Sequence, residues 1–145
     1  MPRNTILLVL SVLIISGCTN THINIPMSNK KTVETYMDGF RESDHAKVLS
    51  FLTDDVVWEM PGAFKLHGKE EFDKEIENPA FEGKPVITIT RLVEEGDIVI
   101  AEGTVKSKFK NGDSLYAVFC DVFQFREGKI SWLTTYLMQK QQPKQ

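Results

Sequence analysis

Apolar positions in this chain change their spacing along its length, and the change separates helices from strands. Val33, Tyr36, Met37 and Phe40 recur at i, i+3, i+4 and i+7, the stripe of an amphipathic helix. Ser28 or Asn29 offers a side-chain oxygen to cap it. Glu42-Ser43-Asp44 breaks the stripe and caps a second helix, in which Ala46, Val48, Leu49 and Leu52 supply apolar contacts before Thr53-Asp54-Asp55 ends it. Residues 56–60 are β-branched and aromatic, a strand stopped by Pro61-Gly62. A third helix is expected from His67-Gly68-Lys69 to Asn78-Pro79. Strands follow over residues 86–94, 98–109, 114–126 and 130–137, turned at Glu95-Gly96-Asp97, Asn111-Gly112 and Glu127-Gly128-Lys129. Helices first and antiparallel strands after them make an α+β domain, a long meander curled around amphipathic helices. The domain is expected to span residues 31–138, followed by a polar tail over residues 139–145.

One strand carries an anomaly. Side chains two apart on a strand share a face, so Phe119, Asp121, Phe123 and Phe125 form one row. A carboxylate in an aromatic row is costly unless it is paired, hydrogen-bonded or neutralised. Asp121 is therefore either a functional acid in an apolar pocket or an exposed residue on a half-solvated strand. Cys120 alternates away from it and reads as a small core residue. No adjacent His or helix N-terminus is evident that would lower its thiol pKa.

Residues 1–17 stand apart. A short positive start precedes an apolar run from Ile6 to Ile15, broken only by Ser11 and closed by small residues. Such a run is a secretory signal pattern and too short for a spanning helix; the alternative is a buried strand of the fold. The closing Ile15-Ser16-Gly17-Cys18 resembles the lipobox of bacterial lipoproteins. That resemblance implies cleavage before Cys18, a lipid on its sulfur and display on the cell envelope. With Thr19 and not Asp after the cysteine, it implies the outer membrane in a two-membraned host. The chain has two cysteines, and lipidation of Cys18 leaves Cys120 without an intramolecular partner, which accounts for an unpaired count in an exported protein. Residues 18–30 then read as a polar tether.

Charge narrows the partners. Loss of residues 1–17 removes only Arg3 among the charged residues, moving the net charge from −3 to −4. No basic cluster suggests nucleic-acid binding. The three histidines, His22, His45 and His67, lie scattered without ligand spacing, so no metal is expected. His22 falls in the tether, His45 is expected to face solvent, and His67 reads as a cap or surface residue near a helix start.

From about Thr32 to Leu137 the chain resembles the nuclear-transport-factor-2-like superfamily, and within it the SnoaL-like polyketide cyclases and ketosteroid isomerases. The strings that carry the likeness run from Phe51 through Asp54-Asp55 and Trp58 to Pro61-Gly62, then His67-Gly68-Lys69-Glu70, then Asp121-Val122-Phe123-Gln124-Phe125 with Gly128-Lys129-Ile130. The resemblance implies a curved sheet wrapped on helices, a cone open at one end with an apolar pocket. In ketosteroid isomerases a Tyr on the first helix and a protonated Asp on a late strand hold the substrate oxyanion. Tyr36 and Asp121 fall on those positions. The general base, an Asp immediately before the proline, is here Met60. Glu59 is its neighbour but faces the opposite side of a regular strand. SnoaL-like cyclases work with one acid/base Asp on the late strand, the position of Asp121.

The expected site is thus Asp121 and Tyr36, walled by Trp58, Met60, Phe119, Phe123 and Trp132, with no cofactor. The expected chemistry is isomerisation, cyclisation or hydration of a small hydrophobic carbonyl compound. A pocket that binds an apolar ligand without turnover and a dimerising interaction module stand beside it, and a homodimer is expected under any of these.

Overall fold

The structure, a computed structural model, describes residues 27–140. The expected signal segment, the lipidated Cys18, His22, most of the tether and the end of the polar tail lie outside the described residues. Helix α1 (Asn29–Glu42) begins at Ser28, whose hydroxyl accepts from the Lys31 amide at 3.2 Å. It ends at Ser43, which takes the left-handed conformation at φ 53°. Asp44 caps α2 (His45–Ser50) by accepting from the Lys47 amide at 2.9 Å. The stripe behaves as its spacing requires: Val33, Tyr36 and Met37 are buried and Phe40 packs against them.

Six strands form one sheet in the order β2-β1-β6-β5-β4-β3, from β1 (Leu52–Met60), β2 (Phe64–His67), β3 (Phe81–Glu95), β4 (Ile98–Phe109), β5 (Ser114–Arg126) and β6 (Lys129–Gln139). All neighbours run antiparallel except β1 and β6, which are parallel. The sheet is curved and unclosed, wrapped on the helices as an α+β cone. Its inner face supplies Val99, Ala101, Ala117, Phe119, Phe123, Phe125 and Leu133 to the core.

Several local expectations change. Leu52 is not in the second helix; it opens β1, opposite Ile130 of β6, because sheet pairing overrides a short run of helical spacing. Residues 64–66, expected only to connect, and His67, expected to open the third helix, form β2 on β1 across the Pro61-Gly62 turn, where Gly62 sits at φ +83°. The third helix, α3 (Gly68–Asp73), stops well short of Asn78. Asn78 instead folds its own turn, accepting from the Ala80 amide at 3.0 Å and donating to Glu75. The next strand starts at Phe81, five residues before its expected onset, through a register irregularity between Glu82 and Val86. Cys120 lies on the outer sheet face, half-buried between Glu102 and Tyr136 in register. It is not a core residue, because the helices cover the inner face alone.

Two contacts fix how the helices seat. A Cβ on Gly39 would lie 2.8 Å from Val48 Cγ2, so α1 and α2 approach as only a glycine allows. His45 Nδ1 lies 2.6 Å from Asp73 Oδ1 and Nε2 lies 3.6 Å from Glu77, tying α2 to the end of α3. His45 is therefore ion-paired, and its imidazole is held above its ordinary pKa by the Asp73 hydrogen bond.

Candidate functional site

Between α1 and the inner sheet face lies a cavity of about 650 Å³, within the range of small-molecule sites. Tyr36, Met37 and Phe40 of α1 form one wall, Trp58 and Met60 of β1 a second, and Phe119, Asp121, Leu133 and Thr135 of β5 and β6 the floor. The turn from Glu75 to Pro79, with Lys84 and Lys110, rims it. Beside Asp121, Tyr36, Thr135 and the serines Ser43 and Ser107, the rest of the lining is mainly apolar.

Asp121 is fixed by strand register. On β5 it stands opposite Ala101 of β4 and Thr135 of β6, between Phe119 and Phe123 on the same face. Only 8% of the residue is exposed, and its Oδ1 has no hydrogen-bond partner among the described residues. Burial removes the water that would solvate the charge and pushes the carboxyl up to about 7, with a Thr135 hydrogen bond pulling partly the other way. An acid half-ionised near neutrality can both take and give a proton. Asp121 thus lies on the aromatic face, buried in the cavity floor and not exposed on a half-solvated strand.

Tyr36 is buried on α1, edge-on to Phe40, Phe72 and Phe123 with ring centroids at 5.2, 6.5 and 5.5 Å. Burial, and then the Asp121 charge, drive its hydroxyl well above the ordinary phenol range. It stays protonated.

Of the five expected wall residues, Trp58, Met60 and Phe119 line the cavity. Phe123 does not; it is fully buried behind Tyr36. Trp132 faces the other side of the sheet, with Lys65 Nζ 4.7 Å from its ring centroid. The reason is alternation: Leu133, the next residue, takes the inner position. Met60 occupies the position where the isomerase pattern places its base. Glu59 points away from Trp58 and Met60, 3.7 Å from Lys65, so no bulge turns it inward. His67 is exposed outside the cavity, its amide donating to Glu71 at 2.6 Å. The Cys120 thiol is raised by burial and by the charges of Glu102 and Asp121, so it is no ready nucleophile.

Thr135 was missed at the sequence level. Its hydroxyl accepts from Trp58 Nε1 at 3.0 Å and lies beside Asp121. The pair Thr134-Thr135 is visible in the chain, but which threonine faces Asp121 follows only from the β5–β6 register.

Burial of Asp121 has a consequence for stability. Its folded pKa of about 7 lies above the unfolded value of about 3.9. The folded state holds the proton more tightly, so this group's favourable contribution is complete below about pH 4 and is lost as pH rises through about 7. Three pH units correspond to about 4 kcal/mol. Asp121→Asn, which cannot ionise, is expected to be more stable than the native protein at pH 8, by up to a few kcal/mol, with the difference shrinking towards pH 4. Urea unfolding at the two pH values measures this, and a native advantage at pH 8 would contradict it.

No curated protein matches the chain in sequence. Solved structures share its fold. An NTF2-like protein of unknown function from Burkholderia pseudomallei is 24% identical, covering 77% of this chain and 92% of its own, with a TM-score of 0.70. An LEH-like epoxide hydrolase from M. tuberculosis is 21% identical, covering 76% and 82%, with a TM-score of 0.67. A protein with a ketosteroid isomerase-like fold from Catenulispora acidiphila, solved with trimethylamine, is 14% identical, covering 75% and 86%, with a TM-score of 0.68. These likenesses concern the fold. The SnoaL-like domain model matches residues 33–133, most of the chain and every element that builds the cavity, so the chain belongs to the SnoaL-like domain family.

Proposed function

We propose that this domain carries out acid/base chemistry on a small hydrophobic carbonyl compound, an isomerisation, cyclisation or hydration, with Asp121 as the proton-transferring group. The observation that supports it most is a solitary carboxyl, half-ionised near neutrality, on the floor of an apolar cavity. In the isomerisation case, the Asp121 carboxylate takes a proton from the carbon beside the carbonyl. The developing enolate oxygen accepts a hydrogen bond from the Tyr36 hydroxyl. The Asp121 carboxylic acid then returns the proton to a different carbon, which restores the carboxylate. The low dielectric of the cavity strengthens the Tyr36 hydrogen bond as charge forms on oxygen. The chemistry needs no cofactor.

Met60 shapes this reading. With methionine at the isomerase base position, Asp121 serves as the base and is no longer the protonated oxyanion donor. A base must start ionised, so kcat/KM is expected to rise with pH through about 7. The same methionine favours a second reading, a pocket that holds an apolar ligand without turning it over.

A panel of enones and β-keto esters separates the two. Turnover that falls at least about 100-fold in Asp121→Asn supports catalysis, whereas unchanged turnover removes Asp121 from it. Binding of these compounds by the native protein with no turnover supports the carrier reading.

Two further features belong to the same proposal. The domain is held on the cell envelope, at the outer membrane of a two-membraned host, by a lipid on Cys18. It pairs with a second copy through the outer sheet face, where Val86, Val93, Tyr136 and Met138 are exposed by 62%, 47%, 55% and 70%. Mass spectrometry of protein purified from its host is expected to find an acylated N-terminal cysteine, and an unmodified Cys18 contradicts the anchor. Sedimentation of the soluble domain is expected to give a dimer; a monomer at every concentration contradicts the pairing.

A further inference from the structure

A regular strand shows alternate residues to its two faces, yet Gly83, Lys84 and Pro85 of β3 all line the cavity. The register explains how. Glu82 stands opposite Lys108 and Val86 opposite Lys106, so three residues of β3 face the single Ser107 of β4. Gly83 takes the left-handed conformation at φ +72°, and Pro85 has no amide proton to give the ladder. Before this bulge the strand is held by Phe81, stacked on Phe109 with ring centroids 4.5 Å apart. Bulges re-aim side chains, and this one brings Lys84 to the cavity mouth. Lys110 arrives there from the end of β4, its amide donating to the Ala80 carbonyl at 3.0 Å.

The charges around these two lysines are already matched. Glu82 pairs with Lys108 at 3.1 Å, and Asp113 accepts from the Asn111 side chain at 2.9 Å. On the rim, Glu75 accepts from Asn78 at 2.9 Å and Glu77 lies 3.6 Å from His45 Nε2. Lys106 turns to the other face, with Nζ 5.1 Å from the Tyr116 ring centroid. Lys84 and Lys110 have no ion pair and no side-chain hydrogen bond among the described residues. Inwards from them the lining is apolar along Leu115, Val105, Ile87 and Phe119 as far as Asp121. Leu115 and Asp121 are six residues apart on β5, about 20 Å of strand.

Resting on the reading of the cavity as a substrate site, we propose that its ligand is an elongated amphipathic anion, held at the mouth by Lys84 and Lys110. The apolar body lies between α1 and the sheet, the reacting carbonyl beside Asp121, and the carboxylate against the two ammonium groups. The substrate class is a long-chain oxo acid and not a neutral ketone. The lysines move no proton; they set the pose. A molecule entering carboxylate first would bring its charge against the Asp121 carboxylate in a poorly solvated site, where like charges repel strongly. The cation pair at one end and the acid at the other thus select a single orientation.

Binding measurements test this without any turnover. Dodecanoate is titrated into the full chain at neutral pH by calorimetry, beside methyl dodecanoate and dodecylammonium, which carry the same body with no charge and with the opposite charge. Dodecanoate is expected to bind about tenfold more tightly than the ester. In the Lys84→Gln/Lys110→Gln double variant that preference is expected to vanish, with the ester, which draws on the apolar body alone, bound as in the native protein. Lys106→Gln, on the outer face, is expected to keep it. Equal affinity for carboxylate and ester, a preference for dodecylammonium, or no binding of any of the three overturns the proposal. So does a carboxylate preference that survives the double substitution, or one that Lys106→Gln abolishes as fully, which would mark a diffuse effect of surface charge. Failure of Asp121 as the proton-transferring group shows instead in the turnover panel, which these binding results leave untouched.

Discussion

The constraint on which this molecule turns is a carboxyl group placed where water cannot solvate it. Asp121 stands in a row of aromatic side chains on the inner face of the sheet, under α1, with one oxygen unpartnered. A lone charge there is unfavourable enough that the group keeps its proton to about neutrality. The protein is thereby less stable at alkaline pH than an amide at the same position would make it. Such a cost is typical of sites whose geometry serves chemistry and not packing.

The surrounding fold supports that placement from three sides. Gly103 of β4 is pressed by its neighbours: a Cβ there would lie 2.2 Å from the Thr88 carbonyl oxygen and 2.6 Å from the Phe119 ring. Phe119 can lie across β4 only because that position has no side chain, and its ring is part of the cavity lining beside Asp121. Helix α1 lays Tyr36 and Phe40 over the sheet and is itself seated on α2 through Gly39. Strand β1 runs parallel to β6, an arrangement that brings Trp58 next to Leu133 in register and its indole N–H within reach of Thr135. Strand pairing, helix seating and glycine placement thus converge on one acid.

Much of this was legible in the chain. The i, i+3, i+4, i+7 stripe from Val33 to Phe40 and the period-two row from Phe119 to Phe125 each have a single physical reading, and both hold. The exceptions share a cause, which is that they depend on partners distant in sequence. Leu52 fits a helix by local spacing, yet pairs with Ile130. Residues 64–67 become a strand only because β1 offers an edge. At the site, Trp132 carries the same chemical promise as Trp58, and only their positions in the alternation of β6 and β1 send one outwards and the other towards the cavity. Thr135 gave no signal at all, since a threonine near a chain end becomes informative only when the register sets it opposite Asp121. The missing base at Met60 came from family resemblance, and the structure adds that Glu59, bound towards Lys65, does not replace it.

Whether Asp121 is a poised acid decides the rest, because the proposed proton transfer and the inverted pH dependence of stability both follow from that state. The most direct measurement is the pH titration of its own carboxyl carbon by ¹³C NMR in the unliganded native protein. The account predicts a midpoint of about 7. A midpoint near about 3.9, the ordinary value for a solvated aspartate, would show a hydrated surface carboxylate and contradict the pocket acid.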